Sequence, residues 1–296
     1  MKFPPENFEI LRQFLIQLRQ GDIALDVGKK SLAALVQMVN DPDSVAVNNI
    51  VALAKITHVS PASITRLAKL LGYNGFNQFQ QIFKQRSKIP NNYYSQKVKN
   101  LVKDKGRSKR SVFERQLKTT AENMQYSIDH LSEDALNRAV EILAWSNRIF
   151  VFGHKQSSSM ANMMGYGLCL IRHNVQTLGQ YEHGLALALG QLKRSDLVVI
   201  FSSSPYSNLS VDIASIARKR SCKLLVITDS LLSPLIDHAT VSINIPTDGN
   251  YYTNSLSANC IFIEALLSLT AKELGDTAIV KLREHERLVT ELNANS

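Results

Sequence analysis

Two sets of polar residues have types and spacings that can do chemistry. The first is Ser60, Ala62, Ser63, Thr65, Arg66 and Lys69, within the run Val59-Ser60-Pro61-Ala62-Ser63-Ile64-Thr65-Arg66-Leu67-Ala68-Lys69. Ile64, Leu67, Ala68 and Leu71 recur at helical spacing, so the polar residues fall on the opposite face of one short helix. Hydroxyls there suit phosphate oxygens or base edges, and Arg66 can take guanine O6 and N7 or a phosphate. No Asp or Glu occurs between Asp43 and Asp104, so nothing nearby repels an anionic partner.

The second set follows two apolar runs. After Arg148–Phe152 (RIFVF) come Gly153, His154, Lys155, Gln156, Ser157, Ser158 and Ser159; after Leu197–Phe201 (LVVIF) come Ser202, Ser203, Ser204, Pro205, Tyr206 and Ser207. Hydroxyls and free backbone N–H groups at a helix N-terminus make an anion site. Lys155 adds a cation with three donors. Two such turns side by side would hold one phosphate and the hydroxyls of an attached sugar. Glu182 and His183, in Tyr181-Glu182-His183, could reach a ligand or transfer protons; a surface salt bridge explains them as well.

The elements that must position these residues divide the chain in two. Residues 49–72 read as two short helices around His58-Val59, with Ser60 as cap, Pro61 at the first helical position and Gly72 as stop. A short helix with hydroxyls and an arginine near its start, packed across another, is the helix-turn-helix layout. Around it, residues 1–20, Gly28–Asn40 and Asn77–Gln85 read as amphipathic helices, with Phe76, Phe79, Ile82 and Phe83 closing a small all-α core. Residues 1–86 form this expected domain.

Residues 87–111 read as a basic linker. Lys84 to Arg110 holds ten Lys/Arg against one acid, Asp104, which equals the net charge of +9 of the whole chain. Lys97, Lys99 and the run Arg107-Ser108-Lys109-Arg110 suit a DNA backbone or a solvated linker equally.

From 112 to 296 the pattern is α/β. Helices are expected over Val112–His130 and Ser132–Trp145. Strands are expected at Arg148–Gly153, Val175–Leu178, Leu197–Ser202, Lys223–Thr228 and Val241–Ile245. Between them lie helices over Ser158–Arg172, Leu185–Leu192 and Ser207–Lys219, and two more fill Asn254–Ser296. Continuous rather than alternating apolar runs predict a five-stranded parallel sheet covered on both faces, a doubly wound fold that binds ligands at the carboxyl ends of its strands. Cys169, Cys222 and Cys260 sit apart in apolar surroundings and read as small buried hydrophobes of a reducing compartment. They and the scattered histidines give no metal-ligand spacing, so no metal and no cofactor is expected. No run approaches a membrane span and the first residues show no signal-peptide pattern, so no membrane partner and a cytoplasmic location are expected.

Two resemblances sharpen this. Over Ser31 to about Arg86 the chain resembles the RpiR family of bacterial transcription regulators. The resemblance rests on Asn40-Asp41-Pro42 closing a helix, on Val59 to Arg66 opening the recognition helix, and on Leu71-Gly72-Tyr73-Asn74-Gly75-Phe76 with Phe79. Over about Leu131 to Thr270 it resembles the SIS (sugar isomerase) domain, which binds phosphosugars. Gly153 and Ser157 match the first glycine and the serine of that family's G-x-G-x-S turn. Ser202, Ser204 and Ser207 match the hydroxyls of its S-x-S-G-x-T loop, and Thr228-Asp229-Ser230 with Ser233-Pro234-Leu235 match the segment after the fourth strand. Lys155 and Pro205 stand where the family has glycines. Pro205 has no N–H, so the second loop must present fewer backbone donors.

The resemblances imply a regulator of carbohydrate metabolism that binds double-stranded DNA at a palindromic operator through Ser60, Ala62, Ser63, Thr65, Arg66 and Lys69. Its effector would be a sugar phosphate or sugar acid, held by Gly153, His154, Lys155, Ser157, Ser158, Ser202, Ser204, Ser207, Glu182 and His183. It would work as a homodimer or homotetramer, with no catalytic residues. The competing expectation is a phosphosugar isomerase with an added helical domain.

Overall fold

A computed structural model describes residues 4–87, 93–103, 108–179 and 184–294 of the chain. It divides into two compact units, Met1–Gln96 and Lys97–Ser296. The first holds helices α1 (Phe8–Gln20), α2 (Lys29–Asn40), α3 (Pro42–Val47), α4 (Ile50–Ile56), α5 (Pro61–Leu70) and α6 (Phe76–Ser87). Helix α1 starts later than the expected 1–20, because Asn7 caps it by accepting the Ile10 N–H at 2.9 Å. Just before it, the Pro5 carbonyl is held at 2.7 Å by the buried Tyr73 hydroxyl.

Helix α3 is not expected from the sequence, in which Asn40-Asp41-Pro42 reads only as a stop. The stop is also a start: the Asp41 carboxylate accepts the Ser44 N–H at 3.2 Å and Pro42 occupies the first helical position. Six residues are too few to show a period. The buried Gln80 side chain then donates to the carbonyls of Val45 (2.8 Å) and Asn48 (2.7 Å) at the end of this helix. Phe14, Leu35, Leu53, Ile64, Leu71, Phe79 and Phe83 fill the core, with Phe79 and Phe83 edge to face at 5.0 Å.

In the second unit, α8 (Lys109–His130) and α9 (Glu133–Trp145) precede β1 (Ile149–Gly153), α10 (Ser157–Ile171), β2 (Val175–Thr177), α11 (Leu185–Gly190), β3 (Leu197–Ser202) and α12 (Asn208–Lys219). Then come β4 (Lys223–Thr228), a 3-10 turn at Ile236–His238, β5 (Val241–Asn244), α13 (Ser257–Leu274) and α14 (Asp276–Ala294). The stretch expected as a linker carries a helix of its own, α7 (Tyr93–Lys103), within which the two units divide. Helix α8 opens three residues earlier than expected, because Ser108 accepts the Ser111 N–H at 3.1 Å.

The sheet runs β2-β1-β3-β4-β5 with every pair parallel. Ile149, Val151, Val199 and Leu225 pack beneath α9, α10 and α13, while Phe150, Phe152, Val198 and Ile200 pack against α11 and α12. Covering both faces is what makes these strands uniformly apolar, and each fully buried side chain contributes about 1.5–3 kcal/mol. Chain order reverses between β1 and β3, which lie side by side, so the loops that follow them open at the switch point of the sheet. Of the three cysteines only Cys222 is buried; Cys260 is half-buried and Cys169 is exposed. The expectation of three buried thiols fails at Cys169 because the buried stripe of α10 passes through Leu168 and Ile171 beside it.

Candidate functional site

The first candidate surface is the outer face of α5. Thr57 ends α4 by donating its hydroxyl to the Leu53 carbonyl at 2.7 Å. His58 turns the chain at φ 54°, and Ser60 caps α5 by accepting the Ser63 N–H at 3.1 Å. Ile64, Leu67 and Ala68 face the core, which leaves Ser60, Ala62, Arg66 and Lys69 exposed, with Ser63 and Thr65 at the margin. The hydroxyls are partly engaged. Those of Ser60 and Ser63 lie 2.8 Å apart, and that of Thr65 donates to the Pro61 carbonyl at 3.1 Å. Arg66 and Lys69 have no ion-pair partner among the described residues, and they dominate the potential of this face.

The second candidate surface is the pair of loops after β1 and β3. Gly153 is required by close approach: a Cβ there would sit 2.1 Å from the Ser157 carbonyl oxygen. Lys155 adopts φ 54°, its side chain is exposed, and its carbonyl accepts the Ser158 hydroxyl at 2.6 Å. The two loops meet where His154 Nδ1 lies 2.8 Å from the Ser207 hydroxyl. Ser202 is buried at the end of β3, and Ser157 opens α10. The structure therefore brings Gly153, His154, Lys155, Ser157, Ser158, Ser202, Ser204 and Ser207 to one edge of the sheet. Glu182 and His183 lie outside the described residues.

Five further residues, Asp229, Tyr206, Asn254, Gln156 and Thr253, belong to this surface and are not among the site residues expected from the sequence. Asp229, at the end of β4, accepts the Ser204 N–H at 3.1 Å and the Tyr206 hydroxyl at 2.9 Å. Asn254 donates to the Ser204 carbonyl at 2.7 Å, and Gln156 donates to Thr253 Oγ1 (2.9 Å) and the Asn254 carbonyl (2.8 Å). The segment 248–255 thus straps both loops. It is held in turn by the preceding helices: Lys97 of α7 donates to the Thr253 carbonyl at 3.0 Å, Asn123 of α8 to the Asp248 carbonyl at 2.7 Å, and Gln116 of α8 accepts the Asn250 N–H at 3.1 Å. The signal for Asp229 was its place after a strand; nothing local marks Asn254.

A cavity of about 540 Å³ lies at the other end of the sheet, lined by Trp145, Arg172, Asn174, Leu274 and Lys281. Three of its charged groups are engaged within the protein: Arg172 donates to the Leu143 and Ala144 carbonyls at the end of α9, and Lys281 pairs with Glu284 at 2.8 Å. The strand-end loops, not this recess, offer chemistry to a ligand. Among the described residues no cluster of three His, Cys, Asp or Glu suits a metal, and no helix is long and apolar enough to cross a membrane.

Residues 15–88 match the model of the helix-turn-helix domain of the rpiR family, and residues 142–269 match that of the SIS domain. An HTH-type transcriptional regulator of Haemophilus influenzae is 25% identical over 203 residues, 68% of this chain and 69% of its own length. The HTH-type transcriptional regulator HexR of Escherichia coli K12 is 24% identical over 221 residues, 73% of each chain. Among solved structures, the Vibrio vulnificus NanR protein complexed with ManNAc-6P aligns with a TM-score of 0.55 and 19% identity, covering 94% of this chain and 98% of that one. The curated relatives are named as regulators, which decides against the isomerase expectation. With the two domain models on one chain and regulators as its relatives, the chain belongs to the RpiR family of transcription regulators.

Proposed function

We propose that the protein regulates genes of carbohydrate metabolism from the cytoplasm, binding a palindromic DNA operator as a homodimer or homotetramer and sensing a sugar phosphate or sugar acid. The observation that carries this is the pairing, on one chain, of a carboxylate-free cationic helix face with two hydroxyl-rich loops at a sheet switch point. Helix α5 would enter the major groove with Ser60, Ala62, Ser63, Thr65, Arg66 and Lys69 toward the duplex, and two-fold symmetry would place two such helices one helical turn apart. Exposed Lys84, Lys99, Lys103, Lys109 and Arg110 would add phosphate contacts. Each phosphate neutralised steepens the salt dependence by about 0.9 per log unit.

The effector would lie across Gly153, His154, Lys155, Ser157, Ser158, Ser202, Ser204 and Ser207, with Glu182 and His183 as further candidates. What supports communication with the DNA-binding unit is the 248–255 strap, which is bonded to both loops and to α7 and α8, the helices that follow the DNA-binding unit in the chain. A ligand that favours one arrangement of the strap shifts the position of those helices only by as much as it binds that arrangement better.

The test is fluorescence anisotropy with duplexes selected from a random pool by the full chain. A symmetric consensus, lost with Arg66→Ala and shifted in affinity by one member of a sugar-phosphate panel, is the expected result. Selection of no consensus, or an affinity indifferent to the whole panel, would overturn one half of the proposal each.

A further inference from the structure

The second loop is already occupied by the chain's own negative charge. Asp229 takes the Ser204 N–H at 3.1 Å and the Tyr206 hydroxyl at 2.9 Å. Pro205 between them has no N–H to give. The Ser207 hydroxyl is engaged by His154 at 2.8 Å. In the first loop the charge is opposite: Lys155 is exposed, held by its own backbone at φ 54° on the shoulder between β1 and α10.

The sheet sets the distance between these charges. Lys155 follows β1 and Asp229 follows β4, with β3 between them. Two strand spacings are about 10 Å. The site is thus polarised along the sheet edge, cationic at β1 and anionic at β4, with the hydroxyls of Ser202, Ser204 and Ser207 in the middle.

Resting on the effector reading above, we infer that Asp229 determines which ligands the site admits: sugars with one anionic end, bound toward Lys155, and an uncharged or cationic end toward Asp229. A second anionic group at the far end of the sugar meets a like charge there, and like charges brought together without water between them are rejected. Asp229 cannot be moved aside without leaving the Ser204 N–H and the Tyr206 hydroxyl in search of acceptors. The effector class is therefore an aldose phosphate or phosphorylated amino sugar, and not a phosphorylated sugar acid or a bisphosphate. The sugar acids admitted are those without a phosphate.

The experiment compares probes that differ only in the far end: glucose 6-phosphate with 6-phosphogluconate, and mannose 6-phosphate and N-acetylmannosamine 6-phosphate beside their acid counterparts. Calorimetry on the full chain is expected to favour the singly anionic member of the responding pair at least tenfold. Asp229→Asn should erase that ratio by improving the doubly anionic probe, while Tyr206→Phe, which keeps the charge, should preserve it. Equal weakening of both probes by Asp229→Asn would show that Asp229 only braces the loop, and would overturn the inference while leaving the effector reading intact. A wild-type preference for the doubly anionic probe would overturn it too. Failure of every phosphorylated probe on both wild type and Asp229→Asn would remove the phosphosugar reading itself.

Discussion

The outer face of α5 and the loops after β1 and β3 are both polar, yet they offer themselves differently. On α5 the groups that count, Arg66 and Lys69, stand exposed without an ion-pair partner among the described residues. At the loops most polar groups are bonded to one another: His154 with Ser207, Ser158 with the Lys155 carbonyl, Ser204 with Asp229 and Asn254, Gln156 with the strap. A polyanion many times larger than the helix can bind by adding exposed contacts, each weak and screened by salt. A small ligand must replace bonds that exist, so it binds only if it satisfies the groups it frees. An open face gives affinity for a class of partner; a satisfied loop gives selection within one.

The strongest way to break this contrast is at Gly153. Gly153→Ala forces a Cβ against the Ser157 carbonyl oxygen, and overpacking of this kind costs about 3 kcal/mol. Urea unfolding followed at Trp145, the single tryptophan of the chain, should show that loss in the second unit. An unchanged midpoint would mean the turn is free to relax. Next comes Arg66→Ala, expected to weaken binding to operator DNA by about 2 kcal/mol and to relax sequence preference, with effector binding by the loops untouched. Lys69→Ala should instead lower affinity evenly across sequences and reduce the salt slope by about 1. Equal losses of base preference in the two variants would remove Arg66 from the base-reading face.

A smaller effect is expected at the strap. Asn254→Ala strands the Ser204 carbonyl and the loop that carries it, at about 1.5 kcal/mol. Effector affinity should fall, and so should the change that effector produces in DNA affinity, while DNA binding without effector stays the same. A full effector response in this variant would uncouple the strap from signalling. The smallest is Ser60→Ala, which removes the cap of α5 and costs about 1 kcal/mol of stability in the first unit, read by thermal unfolding followed by circular dichroism.

Much of the fold was legible because its causes are local. The boundaries of α5 follow from Ser60, Pro61 and Gly72, each acting within one turn of its own position. The five strands follow from runs such as LVVIF, since a parallel strand buried on both faces has no polar side to show. Where local cause was missing the sequence reading failed. Helix α3 was too short for a period, α7 lay in a stretch whose charge suggested a linker, and Cys169 missed the buried stripe of α10 by one residue. At the site, Gly153, Ser157 and the Ser202 to Ser207 loop declared themselves by their position after a strand. Asn254, about fifty residues from Ser204, did not.

By itself the sequence determined the five strands and the longer periodic helices, which face of α5 would be polar, and that two hydroxyl-rich turns would end at one edge of a parallel sheet. Period and capping are properties of neighbouring residues, so the chain carries them openly. Only the tertiary structure decided that β1 and β3 lie adjacent, that Asp229 fills the donors of the second loop, and that a strap ties both loops to α7 and α8. Those are pairings between residues far apart in the chain, fixed by the packing of helices on the two faces of the sheet, and no spacing along the sequence encodes them.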